Sequence, residues 1–226
     1  MSKLLLWLAL MIFNASTLAA GLESISNADA SSGLRQALSD GAAAAVSQLG
    51  VENGFFGNAK VKIPLPPALQ NIEGMLRLTG MSKQADELVL TMNRAAEAAV
   101  PEAKALLVES VRKMSVQDAK SILSGGDTAA TDYFRRTTQA ELTQRFLPIV
   151  KKATDRVGLA AKYNGLAGQA GQFGLIGKDQ STVEGYVTGK ALDGLYLMIA
   201  EQEKNFRQNP LGAASDMVRK VFGALR

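Results

Sequence analysis

The side chains in this chain that could act on another molecule are carboxylates and their basic or amide neighbours, because it contains no histidine and no cysteine. Histidine is the commonest general base near neutral pH and the commonest transition-metal ligand, and a thiolate is the usual soft nucleophile. Ser-His-Asp hydrolysis, Cys-His proteolysis and His- or Cys-ligated zinc are therefore excluded by inventory. The remaining acids stand in telling places. Ala191 to Ala200 (ALDGLYLMIA) is apolar except for Asp193. A helix apolar on every side lies at the centre of its fold, so Asp193 is expected to be buried and paired. In a second, alanine-rich stretch, Asn93, Arg94 and Glu97 stand at helical spacing, with Asn93 and Glu97 on one face. Arg94 is the expected partner of Asp193. The pair is either an internal ion bridge that fixes helix register or the floor of a polar cleft. Glu201, Glu203, Lys204 and Arg207 read as a solvated face with i,i+4 pairs, of which Glu203 and Arg207 could extend that cleft.

Two further patterns carry less. Glycine recurs at every third position from Gly165 to Gly177. A phosphate loop would need a glycine where Gln172 stands and a Ser or Thr where Asp179 stands, so the run reads as a connection or a mobile cover over a cleft. Ser110-Val-Arg-Lys113 has the S-x-x-K spacing of serine acyl enzymes without their companion motifs. No metal site and no cofactor is expected.

The elements that must hold these residues are helical. Leu34, Ala37, Leu38, Ala42, Ala45, Val46 and Leu49 recur at three- and four-residue spacing up to Gly50. A loop carrying Phe55 and Phe56 follows. Val61, Ile63 and Leu65 then alternate with Lys62 and Pro64, giving at most one short extended segment near residues 60–65, confined to an edge by its prolines. Pro66-Pro67 opens a helix that ends near Gly80. Another starts at about Ser82 and is interrupted by Pro101. Ser115 with Asp118, Thr138 with Glu141 and Ser181 with Glu184 have capping-box spacing, and Asp127 could cap the helix bearing Tyr133 and Phe134. Pro148 predicts a kink. The Ser181 helix should run to about Arg207, and Asn209-Pro210 should start a last one. The fold class is all-α, a single-domain multi-helix bundle over residues 31–226.

Upstream, Lys3, the ten apolar residues Leu4 to Phe13 and the small residues before Ala19-Ala20 have the order of a secretory signal. Ten residues rise about 15 Å as a helix, half of a hydrocarbon core, so the segment is too short to span. Residues 1–19 are thus expected to be removed after Ala19 or Ala20, with 20–30 a flexible lead-in. A formal charge of +4 with no basic run argues against nucleic acid as a partner.

MNRAAEAAVPEA (Met92 to Ala103), DAKSILSGGDTAATDYFRR (Asp118 to Arg136), FLPIV (Phe146 to Val150) and YVTGKALDGLYLMIAEQEKNFRQNP (Tyr186 to Pro210) resemble the bacterial family catalogued as domain of unknown function 4197. The resemblance runs from about Gly33 to Phe222. It implies a helical envelope protein of gram-negative bacteria and brings no activity, ligand or catalytic residue with it. Relatives in that family often bear a lipoprotein signal. This chain lacks the cysteine such a signal needs, which favours a soluble periplasmic form.

Function then reads as non-catalytic binding of an envelope partner protein, or of an apolar or amphipathic small molecule held between helices. The alternatives are a carboxylate-dependent hydrolase of cell-wall glycan, which needs only two suitably spaced acids, and a structural oligomer with the Phe55-Phe56 loop as its contact.

Overall fold

The computed structural model describes residues 27–70, 73, 78, 80, 82–156, 158, 160–161, 163–164, 182–209 and 219. Its elements are α1 (Asn27–Leu49), the short α2 (Pro67–Gln70), α3 (Ser82–Ala99), a 3-10 turn (Val100–Glu102), α4 (Ala103–Lys113), α5 (Val116–Ser124), α6 (Ala129–Thr154) and α7 (Val183–Gln208). Among the described residues there is no strand, and the fold is all-α. The signal segment, the glycine run, Ser181 and the helix expected after Pro210 (apart from Arg219, which is helical) lie outside the described residues.

The two longest helices, α6 and α7, pack on each other, with α3 against α6 and α1 against α7. Along α6, Ala130, Phe134, Thr138, Leu142, Phe146, Val150 and Thr154 are all buried at a strict four-residue interval. Such a row is inclined to the helix axis, so the buried stripe winds around α6 and meets different neighbours along its length. The apolar residues expected inward on α1, from Leu34 to Leu49, are all buried. That helix begins at Asn27, so the last four residues of the expected lead-in are helical.

Local punctuation decides several boundaries. Ser115 and Asp118 form a reciprocal capping box at the head of α5. Pro101 sits in the 3-10 turn that separates α3 from α4. Two expected caps are not formed. Thr138 lies inside α6, where its hydroxyl contacts the Phe134 carbonyl at 2.7 Å and the Tyr196 hydroxyl at 2.9 Å. Glu141 instead pairs with Arg145 one turn on. A Thr-x-x-Glu spacing says nothing by itself about where a helix begins, and α6 runs unbroken through Pro148. Its N-cap is Thr128 rather than Asp127, with no side-chain cap of its own. At the head of α7 the cap is Thr182, which accepts from the Gly185 amide at 3.1 Å.

Candidate functional site

Residues 50–66 turn on themselves through backbone bonds from Gly54, Gly57, Asn58, Val61 and Lys62, and α3 supplies acceptors for the amides of Phe55, Phe56 and Ile63. One oxygen of Glu97 accepts from the amides of Phe55 at 3.0 Å and Phe56 at 3.1 Å. The other accepts from Arg94 at 2.6 Å. Arg94 also donates to Glu52 at 3.1 Å and to Asn53 at 3.0 Å, and Asn53 holds the left-handed backbone (φ 66°) that asparagine tolerates well. One turn earlier, Asn93 accepts from the Ile63 amide and donates to the Ile63 carbonyl, both at 2.8 Å. This exchange is what a neighbouring strand would provide. A side-chain amide takes the strand's place, which is how a lone extended segment stays in a helical protein. Val61, Ile63 and Leu65 point inward as their alternation predicts, with Lys62 and Pro64 outward.

The loop is also pinned from α7. Phe55 is fully buried, and a Cβ built on Gly194 would lie 2.8 Å from its ring. The glycine in the middle of α7 is the recess that receives this ring. Phe55 therefore belongs to the core and is no oligomer contact. Phe56 is half-buried, with the Lys62 ammonium 4.3 Å and the Arg94 guanidinium 5.8 Å from its ring centre. Tyr186 of α7 donates to the Pro64 carbonyl at 3.3 Å, and burial, with Tyr163 nearby, pushes its phenol up to about 12.

Beside this loop lies a groove of about 780 Å³, with Phe56, Pro64 and Leu65 on one side and Ala85 and Val89 of α3 on the other. Lys62, Gln70, Glu73 and Asp86 add polar groups to its lining. Leu65 and Ala85 are buried beneath it. The groove is an apolar trough with charges of both signs at its edge.

The expected residues thus separate into three places. Asn93, Arg94 and Glu97 act together, on the loop. Asp193 is elsewhere, and the expectation of burial was wrong: its side chain is 59% exposed and meets Arg135 at 3.4 Å, not Arg94. Lys190, Asp193, Leu197, Glu201 and Lys204 fall on one stripe of α7, and all but the half-buried Glu201 are exposed. The window from Ala191 to Ala200 stops just short of the charges that mark this stripe on both sides.

Glu203 and Arg207 form the third place, and they are not a solvated face. The Glu203 side chain is 3% exposed and that of Arg207 11%. The carboxylate accepts from the amides of Ala130 at 2.9 Å and Thr131 at 3.0 Å and from the Thr131 hydroxyl at 3.0 Å. It is the missing cap of α6, supplied by α7. Arg207 bonds to Glu203 at 2.9 Å and donates to the carbonyls of Ile122 at 2.8 Å and Gly125 at 3.4 Å, closing the end of α5. One ion pair fastens both sides of the α5–α6 turn. Neither Glu203 nor Glu97 lines the groove, and backbone amides take up both carboxylates, so they do not form the facing acids of a glycosidase.

Ser110 shares a 2.7 Å contact with Thr137, while Lys113 pairs with Glu109 at 2.6 Å, so the S-x-x-K pair is not assembled. Among the described residues no cluster of three or more acids is placed to hold a metal ion, and no helix is long and apolar enough to cross a membrane. Phe56, Lys62 and Pro64 are the groove residues that sequence reasoning noted only as loop and edge. The outward half of the alternation over 61–65 was the available signal.

The fold and its clamp define an all-α bundle in which a buried acid and a buried amide hold one long loop in place. The chain belongs to the DUF4197 family, described as protein of unknown function, whose family model matches residues 24–223. No curated protein and no solved structure matches it significantly.

Proposed function

We propose that the protein is a non-catalytic binding module of the periplasm whose ligand is an amphipathic small molecule lying in the Phe56 groove. The observation that carries this reading is the clamp. A carboxylate and an amide are buried in α3, where leaving either unpaired would cost about 1–3 kcal/mol or more, and both are committed to fixing the loop that walls the groove. A wall ordered in advance spares the ligand the ordering cost of about 0.5–1.5 kcal/mol per side chain that binding otherwise carries. At about 780 Å³ the trough is within the range of small-molecule sites. Its apolar floor suits a hydrocarbon body, and Lys62, which among the described residues has an aromatic ring and no carboxylate for a partner, suits an anionic end. Placement in the periplasm is supported by Lys3, the apolar run to Phe13 and the small residues at Ala19-Ala20.

Native mass spectrometry of the protein recovered by osmotic shock from its own periplasm tests both parts. The expected result is a chain beginning near Ala20 with a co-purifying amphipathic species, lost in Phe56→Ala. A chain that retains its first residues, or a wild-type protein that carries nothing and binds no added fatty acid, would overturn the reading.

A further inference from the structure

A second groove, of about 700 Å³, lies between α1 and the α4–α5 corner, away from the Phe56 loop. Ser31, Ser32, Arg35 and Ser39 of α1 line it opposite Val108 and Arg112 of α4. Its composition is one-sided: two guanidinium groups, several hydroxyls, and no carboxylate in the lining. The nearest acids along the two helices are engaged. Asp40 accepts from Gln36 at 2.8 Å, and Glu109 is held by Lys113 at 2.6 Å. Among the described residues neither Arg35 nor Arg112 is in an ion pair. A guanidinium has five N–H donors. Arg35 gives one nitrogen to the Met114 carbonyl at 2.8 Å, while its Nε is buried with no partner. The Met114 bond holds the head of Arg35 at the groove with donors to spare. Arg112 is exposed.

We infer that this groove is a binding site for an organic phosphate. Two positive charges and several hydroxyl donors suit a tetrahedral dianion better than a carboxylate, which carries one charge and accepts in a plane. The apolar part of the lining says what the phosphate is attached to. Val108 is half-buried and Val116, at the start of α5, is 58% exposed, so a short hydrocarbon body would rest on them. Phosphate chemistry of this kind occurs both in free phosphate esters and in lipid headgroups; the assignment is to the soluble ester, and vesicles test the headgroup.

Isothermal titration of the full mature chain carrying Phe56→Ala, so that the first groove does not compete for amphipathic anions, with inorganic phosphate, hexyl phosphate and hexanoate tests the assignment, beside co-sedimentation with phosphatidylcholine vesicles with and without phosphatidic acid. Hexyl phosphate should bind about tenfold more tightly than inorganic phosphate for every two methylenes it buries, and hexanoate should bind much more weakly than either. Arg112→Gln removes an exposed side chain with no bond to lose, so it should fold normally and weaken hexyl phosphate at least about tenfold. Because Phe56→Ala is present throughout, binding of these anions in the first groove does not enter the reading. Equal binding of hexanoate would overturn the phosphate assignment, and unchanged affinity in Arg112→Gln would overturn the location. Binding only to phosphatidic acid vesicles, or to none of the probes, would overturn the proposal of a soluble ester.

Discussion

Replacing Glu203 by glutamine changes one atom and tests the cap of α6 directly. The carboxylate accepts three bonds from the first turn of α6 and pairs with Arg207, while only 3% exposed. Glutamine keeps one acceptor oxygen and sets an NH2 against an amide that also donates. Breaking a buried pair by removing one charge costs about 3–5 kcal/mol, and the surviving oxygen puts this substitution near the lower end, about 3 kcal/mol. For a chain of this size that lowers the melting temperature by about 6–12 °C. Thermal and urea unfolding followed by circular dichroism measure the loss, and hydrogen exchange localises it, with faster exchange expected at Ala130 and Thr131. Glu203→Gln combined with Arg207→Met should recover part of the loss, because no guanidinium is then stranded, but not all, because one α6 amide still lacks its acceptor and the Ile122 and Gly125 carbonyls lose their donor. A single variant melting within about 1 °C of the wild type, with unchanged exchange at those two amides, would refute the cap.

Asp193→Asn should change stability by no more than about 0.5 kcal/mol, since its only ion-pair partner among the described residues is Arg135 at 3.4 Å on an exposed face; a urea midpoint well below the wild type would contradict this. Gly194→Ala should destabilise despite the better helix propensity of alanine. Its Cβ would sit 2.8 Å from the Phe55 ring and 3.2 Å from Val61, and overpacking of that kind costs about 1–3 kcal/mol against a propensity gain of about 1 kcal/mol. Tyr186 gives a pH dependence. Burial first, then Tyr163, raises its phenol to about 12, so the folded state holds the proton that the unfolded chain releases near the ordinary value of 10.0. Its contribution to stability is complete below that value and is lost as pH rises to about 12. In urea unfolding across this interval Tyr186→Phe should lose less stability than the wild type, and equal slopes would contradict the assignment.

How far the sequence could be read depended on the distance over which each feature is decided. The α5 capping box, the break at Pro101 and the inward row of α1 are settled within a few residues, and all three are present. Thr138 and Glu141 carry the same local signature without its meaning, since Thr138 is already inside a helix and its hydroxyl serves Tyr196, 58 positions away. The face shared by Asn93 and Glu97 followed from their spacing. Its target did not, because the loop they hold lies 30 to 42 positions away in the chain. Asp193 was misplaced for a different reason. The ten-residue window held one exposed leucine and one acid, too few points to show a stripe that Lys190 and Lys204 complete. The role of Glu203 had no local signal at all.

That same cap has a consequence in time. The acid that completes the first turn of α6 stands 73 positions after the amide it receives. Synthesis runs through the whole of α6, and on into α7, before that turn has an acceptor. A nascent or clipped chain ending before residue 203 would carry bare amides at the head of α6, even where most of α7 is already present to cover its apolar stripe. Exposed, unsatisfied helix ends are features by which proteases distinguish unfinished molecules from finished ones. Residue 203 is where completeness of the chain becomes legible in the fold.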